Sequence, residues 1–435
     1  MLLRGLSKLA IHDVIVVILV VISLGLKFYR LDDPDNYMFD EVYFAFTAQE
    51  IAKGNSDSWE KGPKAPEGFA FEWSHPPLGK ELSTLGILIF GDRTFGWRFF
   101  QALFGGLGTI VIYIVGKELF QSKRAGVFAA FLYTFDCFIF VLSRITMVDI
   151  FLMTFILLAS LFVIKYARTR RDKFIYLSGV FCGLSMSVKW SGVYVTEFLA
   201  AVGFAVMYYT EIHSGKEATD SFFETPFMVT RTIVLAFIIT PLIVYILTYL
   251  PYFLYGHSLS DFIDLQEGMY WYHKSITQSH PYQSQWWKWP LLLRTVYLYL
   301  GEYGDKHKYI YAMGNPFIWW TGCLFLAIGI VQVIRRELPS LAFAVLSVFA
   351  YWLPWALSPR KVTFLYHFLP SFVFVMLIIA YFLDVIWDRF RHGKDVVLLY
   401  LLIAAVTFVY FYPILSAVPI PDDSLGRYFW LSSWR

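Results

Sequence analysis

Two adjacent acidic residues, Asp40 and Glu41, lie between Phe39 and Val42 in an apolar, aromatic part of the sequence. An ionised carboxylate in such surroundings is costly unless it is paired or used, so the pair is a candidate for acid–base chemistry. The alternative is a structural one, in which Asp40 caps the start of a helix. The capping interpretation places the start of a helix near residue 40.

A second polar group occurs in the segment HPPLGK, where His75 and Lys80 flank two prolines. The Pro-Pro pair fixes an extended approach and prevents helix before about residue 77, so it predicts the start of a short helix. His75 and Lys80 are candidate substrate-binding residues. The motif is equally consistent with a simple turn that has His75 on the surface.

Basic residues stand at the ends of several apolar runs. A single such charge usually extends to the lipid headgroups. Several that face a loop with paired acids indicate a phosphate site, because the planar Arg fork binds two phosphate oxygens at once. Asp149 is either a partner of Arg144 or faces a watery cavity. The basic candidates are Arg98 in GWRFF, Arg144 in SRITMVD, Lys189 in SVKWSG, and Arg360 with Lys361 in SPRKVTFLYH.

The composition requires a membrane to position these residues. Of the 435 residues 58% are hydrophobic and only 16% are charged, with a mean hydropathy of +0.56. A water-soluble core cannot bury that much apolar surface. The net charge of +3 is small and scattered, which excludes a nucleic-acid-binding protein. The three cysteines lie in apolar runs, so their spacing indicates neither disulfides nor a zinc site.

The apolar runs predict about eleven transmembrane helices, since a helix needs roughly 20 residues to cross the hydrocarbon layer. If Arg4 and Lys8 are cytoplasmic, every second connection is rich in Lys and Arg, as the positive-inside rule requires. The connections at 165–173 and 389–394 are then inside. The predicted spans are 11–28, 98–117, 126–142, 146–164, 174–189, 191–209, 232–250, 316–334, 340–357, 364–384 and 396–412.

Two connections on the predicted outer side, residues 29–97 and 251–315, are far longer than a hairpin needs. Loops of that length in a compact membrane protein are usually functional. The first long loop (29–97) carries the acidic pair and a short apolar segment suited to the membrane interface. The second long loop (251–315) is rich in Tyr, Trp and Gln, residues suited to the headgroup layer and to stacking on sugar rings.

Eight motifs in order resemble the protein O-mannosyltransferase family, the dolichyl-phosphate-mannose–protein mannosyltransferases and their bacterial and archaeal relatives. The resemblance runs from about residue 30 to the end. The motifs are FDEVYF, HPPLGK, RFFQALFGGLGT, SRITMVD, VKWSG, HPYQSQWWKW, GNPFIWW and FLYHFLP.

The resemblance implies a single membrane-embedded domain over residues 1–435 with the GT-C glycosyltransferase fold, in which an all-α bundle of about eleven spans carries an outward-facing site. It also implies metal-independent, inverting transfer of mannose to Ser or Thr, with no cofactor. The family's Asp-Glu motif maps to Asp40 and Glu41, and its phosphate-binding Arg maps to Arg98. Arg360, His280 and Gln283 follow less directly. Eukaryotic members carry a β-rich MIR domain in the second long loop, which is too short for one here, so a prokaryotic-type plasma-membrane enzyme is expected.

The expected reaction needs a general base for the acceptor hydroxyl and positive charge for the departing phosphate. Asp40 is the predicted base, and Glu41 the residue that positions either Asp40 or the acceptor backbone. Arg98 is the first predicted phosphate ligand and Arg360 or Lys361 the second. The expected partners are polyprenyl- or dolichyl-phosphate-mannose, a secreted or membrane protein with Ser or Thr, and membrane lipids, while a dimer is left open. The alternatives are a related aminoarabinose transferase acting on lipid A, or a transporter.

Overall fold

The computed structural model describes residues 11–213 and 218–435, so Arg4 and Lys8 lie outside the described residues. Within these ranges nine helices are long and apolar enough to cross a membrane. They bear out the multi-span prediction closely, because hydropathy over a 20-residue window is a local property of the sequence. The nine helices are Ile11–Phe28, Thr94–Phe120, Asp149–Thr169, Gly192–Ile212, Thr225–Thr248, Pro316–Arg335, Pro339–Leu357, Leu365–Arg389 and Gly393–Leu415.

The two other predicted spans are helical but shorter. The segment predicted at 174–189 is the helix Lys173–Val188, of 16 residues. The segment predicted at 126–142 is not one helix but two, Lys123–Thr134 and Cys137–Leu142. The break has a local cause, because the Asp136 carboxylate accepts hydrogen bonds from the backbone N–H groups of Phe138 and Ile139, both at 3.0 Å, and thereby starts a new helix.

The Asp136 carboxylate also ties the first half of the chain to the second. Its other oxygen accepts hydrogen bonds from the Asn315 backbone N–H and from the Trp319 indole N–H, each at 3.1 Å. The Asn315 side-chain amide in turn donates to the carbonyls of Phe135, at 3.1 Å, and Ala404, at 2.9 Å. The helix Leu365–Arg389 runs through the buried centre of the bundle.

Contacts between chain segments group the connections at two ends of the bundle. At one end Lys123 pairs with Asp13 at 3.0 Å, and Arg124 pairs with Asp388. At the other end the two long loops meet, where Lys308 pairs with Asp33 at 2.9 Å. The basic connections and the long loops are thus segregated, as the Lys and Arg distribution predicts.

The two long loops are mostly folded. The first contains the helices Glu41–Ala52 and Leu78–Phe90 with a short 3-10 turn at Ser56–Trp59. Both helix starts agree with the sequence prediction. The second contains the short helix Leu250–Leu254, the helix Leu259–Ser275 and a 3-10 turn at Trp286–Lys288.

The second long loop also contains β structure, which the all-α prediction missed. Val296–Tyr303 and Lys306–Ala312 form an antiparallel hairpin, and Pro419–Ile420 adds a short third strand. The hairpin turns at Gly304 and Asp305, where Gly304 has a positive φ of 60°. A Gly-Asp pair between aromatic-rich strands is a hairpin signal that hydropathy does not detect.

One helix pair packs at very close range. The helix Lys173–Val188 presents Gly179 and Gly183 to the helix Thr225–Thr248, and a Cβ at Gly179 would overlap the Ala236 carbonyl oxygen. The opposing helix has π-helical geometry at Leu235–Ile239. Small residues four apart allow such an approach between membrane helices. This packing fixes one wall of the large cavity described below.

Candidate active site

The helix Glu41–Ala52 positions Asp40, which occupies the residue just before its first turn. The Asp40 side chain makes no capping hydrogen bond. Within the described part of the chain, its carboxylate has no hydrogen-bond partner. The capping interpretation of Asp40 is therefore wrong. The preceding residue, Phe39, has φ = 45°, a left-handed conformation that is costly for a bulky side chain.

The surroundings of Asp40 change its acidity. Burial raises the pKa of the carboxyl to about 7, and the nearby negative charges of Asp149 and Glu72 act in the same direction. The positive charges of Lys189 and Arg360 oppose the rise. A carboxyl that titrates near neutral pH and has no protein donor is suited to take a proton from a substrate.

Glu41, one residue further on, is in the opposite situation. Its carboxylate is fully buried and accepts two hydrogen bonds from the Arg98 guanidinium, at 2.8 and 2.7 Å. The backbone N–H groups of Met38 and Thr146 donate to the same carboxylate, each at 2.9 Å. Glu41 thus joins the first long loop to Arg98 and to the chain segment just before Asp149.

Arg98 is equally saturated. Besides the two bonds to Glu41, its guanidinium donates to the backbone carbonyls of Leu31, Pro34 and Asn36, at 3.2, 2.8 and 2.7 Å. An Arg side chain has five N–H donors, and all five are used inside the protein. In this structure Arg98 therefore has no donor left over for the phosphate that it was predicted to bind. Its contacts instead hold the start of the first long loop in place.

Arg144 and Asp149 are not partners. The Arg144 guanidinium donates to carbonyls at the end of the helix Ile11–Phe28, including Lys27 at 3.0 Å and Tyr29 at 2.6 Å. Cations are stabilising at a helix C-terminus, so Arg144 is a structural residue. Asp149 pairs instead with Lys189, with 2.9 Å between Oδ1 and Nζ.

The HPP turn is held by a buried acid that the sequence analysis did not single out. Glu72 pairs with His75, 2.8 Å from Nδ1, and with Lys80, 3.0 Å from Nζ. Lys80 also donates to the His75 carbonyl at 3.0 Å. Burial acts to raise the pKa of Glu72, but the charges of Lys80 and His75 outweigh it and lower the pKa. The Lys80 ammonium is thus used in bonds within the turn, whereas His75 lies where the turn borders the cavity described below.

The second long loop supplies His273, which was also missed. Its ring lies 5.1 Å from that of His75, and its Nε2 lies 2.8 Å from the Ser74 carbonyl, to which it donates. Arg360 Nη1 donates to His273 Nδ1 at 3.3 Å. Burial lowers the pKa of His273 to about 3, and the positive charges of His75 and Arg360 add to this effect. A neutral imidazole thus links Arg360 to the HPP turn.

Some of these groups line a cavity of about 690 Å³. Its polar lining includes His75, Lys189, His273 and Arg360. Among the described residues, Arg360 Nη2 has no hydrogen-bond partner. Its apolar lining includes Phe237, Ile238, Pro241 and Leu242 of the helix Thr225–Thr248. The cavity thus combines cationic side chains with an apolar wall.

Of the predicted site residues, His75, Lys189 and Arg360 line this cavity, whereas the others, Asp40 included, are not among its lining residues. His280 and Gln283 form a turn in the second long loop, where the His280 N–H donates to Gln283 Oε1 at 3.3 Å. The His280 ring packs edge-on against Phe39, 5.7 Å away, and so supports the residue before Asp40. Lys361 is exposed. In the described part of the chain, no group of three or more His, Cys, Asp or Glu side chains is placed to hold a metal ion.

Comparison with solved structures defines the class of protein. The fold superposes on the protein O-mannosyltransferase Pmt1–Pmt2 complex of Saccharomyces cerevisiae bound to the sugar donor, with a TM-score of 0.83 and 15% identity over 98% of this chain and 93% of that one. It also superposes on ArnT from Cupriavidus metallidurans bound to undecaprenyl phosphate, with a TM-score of 0.62 and 11% identity over 93% and 76% of the two chains. The chain is a multi-pass membrane protein with the GT-C glycosyltransferase fold.

Comparison with protein families narrows the class. Residues 17–255 match the model of dolichyl-phosphate-mannose-protein mannosyltransferases, and residues 258–434 match that of the C-terminal four-helix membrane region of protein O-mannosyltransferases. The chain belongs to this family. It is 26% identical to the polyprenol-phosphate-mannose–protein mannosyltransferase of Mycobacterium tuberculosis, over 97% of this chain and 91% of that protein. The Corynebacterium glutamicum protein of the same name is 23% identical, over 92% and 88%.

Proposed function

We propose that this protein transfers mannose from a polyprenyl-phosphate carrier to Ser or Thr hydroxyls of proteins, with inversion at the anomeric carbon. Family membership supports the reaction class. The observation that carries the proposal to named residues is the Asp40 carboxylate. It has no hydrogen-bond partner among the described residues, its pKa is raised to about 7, and it interacts electrostatically with Arg360 and Lys189 of the cationic cavity.

Asp40 acts as the general base. The acceptor hydroxyl gives its proton to the Asp40 carboxylate as its oxygen attacks the anomeric carbon of mannose. The bond between that carbon and the phosphate oxygen breaks at the same time, and the polyprenyl phosphate leaves with the electron pair. An inverting displacement places base and phosphate on opposite faces of the sugar, so Asp40 and the phosphate ligand must come from different elements.

Arg360 is the proposed phosphate ligand. Its guanidinium is held by the Val362 carbonyl, 2.9 Å from Nε, and by His273, and both bonds leave Nη2 for the phosphate oxygens. Fixed positive charge stabilises the developing anion without reorganisation during the reaction. The apolar wall formed by the helix Thr225–Thr248 is suited to the first isoprene units of the carrier.

The test is transfer by the purified protein. Radiolabelled polyprenyl-phosphate-mannose and a peptide containing Ser and Thr are incubated with the wild type and with Asp40→Asn. We expect a labelled glycopeptide with the wild type only, and alkali-labile release of mannose from it. Absence of glycopeptide with several peptides, together with transfer of aminoarabinose to lipid A, would replace the proposal with the related GT-C activity.

We further propose that the site faces the outside of the plasma membrane. The basic connections lie at the opposite end of the bundle from the long loops, and the positive-inside rule makes that end cytoplasmic. Cysteines placed at the exposed positions Glu60, Gln283 and Arg170 test this. In intact cells an impermeant thiol reagent should label the first two and not the third, and the reverse pattern would invert the topology.

A further inference from the structure

A small recess beside the main cavity is lined by three buried side chains that each have a polar atom without a partner. The recess has a volume of about 10 Å³, and its lining includes Asp149, His367 and Tyr351. Asp149 Oδ2, His367 Nε2 and the Tyr351 hydroxyl lack a hydrogen-bond partner among the described residues. Buried polar atoms in native proteins are almost always hydrogen-bonded, so the atoms of the two ionisable side chains, Asp149 Oδ2 and His367 Nε2, indicate a ligand group that binds here.

The two atoms are chemically complementary. His367 Nδ1 lies 3.1 Å from the Phe364 backbone nitrogen and 3.0 Å from the Phe364 carbonyl oxygen. That carbonyl already accepts from the His367 backbone N–H at 3.1 Å, whereas the Phe364 N–H has no other acceptor among the described residues. We therefore assign Nδ1 as the acceptor of the Phe364 N–H and place the ring proton on Nε2. Asp149 already accepts a bond from Lys189 through Oδ1 at 2.9 Å, which leaves Oδ2 as an acceptor. The recess therefore presents one N–H donor and one carboxylate acceptor.

The side chains that carry these atoms are held rigidly. The His367 ring stacks on Trp289 with 5.8 Å between centroids, and Trp355 packs edge-on at 4.2 Å. Lys189 lies over the Tyr366 ring at 5.1 Å. Because these side chains are held in place, the donor and the acceptor keep fixed positions, and a ligand group must match those positions to bond with both.

The charge and size of the recess define the ligand. A phosphate is excluded because it is too large and Asp149 would repel it, and a cation is excluded because the Lys189 ammonium is adjacent. A volume of about 10 Å³ accommodates a single water-sized group. The group must accept from His367 Nε2 and donate to Asp149 Oδ2, and a hydroxyl does both.

The recess opens beside the proposed donor site. Lys189, Ser191, Tyr194 and Trp355 line both the recess and the large cavity. The charges of Asp149 and Lys189 also act on Asp40. We propose that Asp149 and His367 form a subsite that binds one hydroxyl of the donor sugar and so contributes to sugar specificity. This inference rests on the proposed function.

Donor analogues test the subsite. Wild type, Asp149→Asn and His367→Leu, which removes the ring N–H donor, are assayed with polyprenyl-phosphate-mannose and with its four single-deoxy forms, lacking the 2-, 3-, 4- or 6-hydroxyl. In the wild type, one deoxy donor should lose about a hundredfold in kcat/KM relative to the mannosyl donor, because a site built to bond a hydroxyl rejects the analogue that lacks it. In both variants the penalty for that same analogue should fall below about tenfold, since the bond is already lost.

Ser371→Ala is the matched control. Its hydroxyl is also buried and without a partner, and it lies on the same helix as His367 but does not line the recess. This variant should keep the wild-type pattern of deoxy penalties. Should Asp149→Asn fail to fold because Lys189 loses its charged partner, the comparison of His367→Leu with the wild type still tests the subsite.

The outcomes separate the two proposals. Equal deoxy penalties in the wild type and both recess variants would show that water alone occupies the recess and would overturn the subsite while leaving mannosyl transfer intact. No transfer from the parent donor by the wild type would instead overturn the proposed function.

Discussion

Asp40 and Glu41 are adjacent in the chain and carry the same functional group, yet the structure treats them in opposite ways. Glu41 is fully buried and bonded to Arg98 and to two backbone N–H groups, whereas the Asp40 carboxylate has no hydrogen-bond partner among the described residues. The same contrast separates Arg98, with five used donors, from Arg360, with a donor group to spare. We infer that polar groups whose hydrogen bonds are all made within the protein stabilise the site, and that those with unused hydrogen-bonding capacity contact the substrate.

The contrast predicts its largest effect at Asp40. Asp40→Asn keeps the shape but removes the proton acceptor, so kcat should fall by about a hundred to ten thousandfold, or roughly 3 to 5 kcal/mol. Donor binding, measured with labelled lipid, should persist. Asp40→Glu should also be poor, because a displacement of about 1 Å can cost a hundredfold. Asp32→Asn, an exposed acid of the same loop, is the control and should be unaffected. Mannosyl transfer by Asp40→Asn at nearly the wild-type rate would show that Asp40 is not the general base.

At Arg98 the predicted effect is on stability. Arg98→Ala leaves Glu41 buried without its partner and should destabilise the fold by about 3 to 5 kcal/mol. We expect a lower melting temperature in detergent and a lower yield of monodisperse protein. Arg93→Ala, at an exposed position near the same helix start, should change neither. A stable Arg98→Ala protein with selectively weakened donor binding would restore Arg98 as the phosphate ligand.

Arg360 should show a smaller and more selective effect. Arg360→Ala should raise the KM for the lipid donor by about ten to a hundredfold, since bonds to charged groups contribute about 1.5 to 3 kcal/mol. Arg360→Lys should recover part of this loss, because it keeps the charge without the fork. The KM for the acceptor peptide should not change. The neighbouring Lys361→Ala is a close control, and a loss as large as that of Arg360→Ala would assign the phosphate to both residues.

The smallest effect concerns pH. Asp40 must be ionised to accept a proton, so kcat/KM should rise with pH, reach half of its plateau near the pKa of about 7 and level off above it. The folded pKa is above the unfolded value of 3.8, so the folded state holds the proton longer and stability falls as pH rises from about 4 to about 7. The melting temperature of Asp40→Asn should therefore exceed that of the wild type increasingly over this window. A constant difference would mean that Asp40 titrates normally.

Structural features that depend on a short stretch of sequence, such as spans and helix starts, were predicted. Features that depend on single side-chain contacts were missed. Hydropathy located the spans, and the Pro-Pro pair located the start of the helix Leu78–Phe90. Hydropathy could not detect the helix break, because a single residue, Asp136, causes it.

The sequence analysis identified several residues of the candidate site but not the contacts that distinguish their roles. The sequence indicated that Asp40 and Glu41 matter, but their difference depends on Arg98, which lies 57 positions away from Glu41. Glu72 and His273 were missed because each gains its meaning from a tertiary contact, Glu72 with Lys80 and His273 with Arg360. A sequence shows which charges are present, while their partners decide which of them remain reactive.

The bonds between Asp136 and Asn315 have a consequence for how the family can diversify. They join the regions matched by the two family models, through hydrogen bonds buried in the bundle. A chimera that takes its C-terminal region, from about residue 256 onward, from a relative would have to rebuild these bonds. We expect such a chimera to fold only when its N-terminal part supplies the acid and its C-terminal part supplies the amide, even though the exchange point itself lies in a loop.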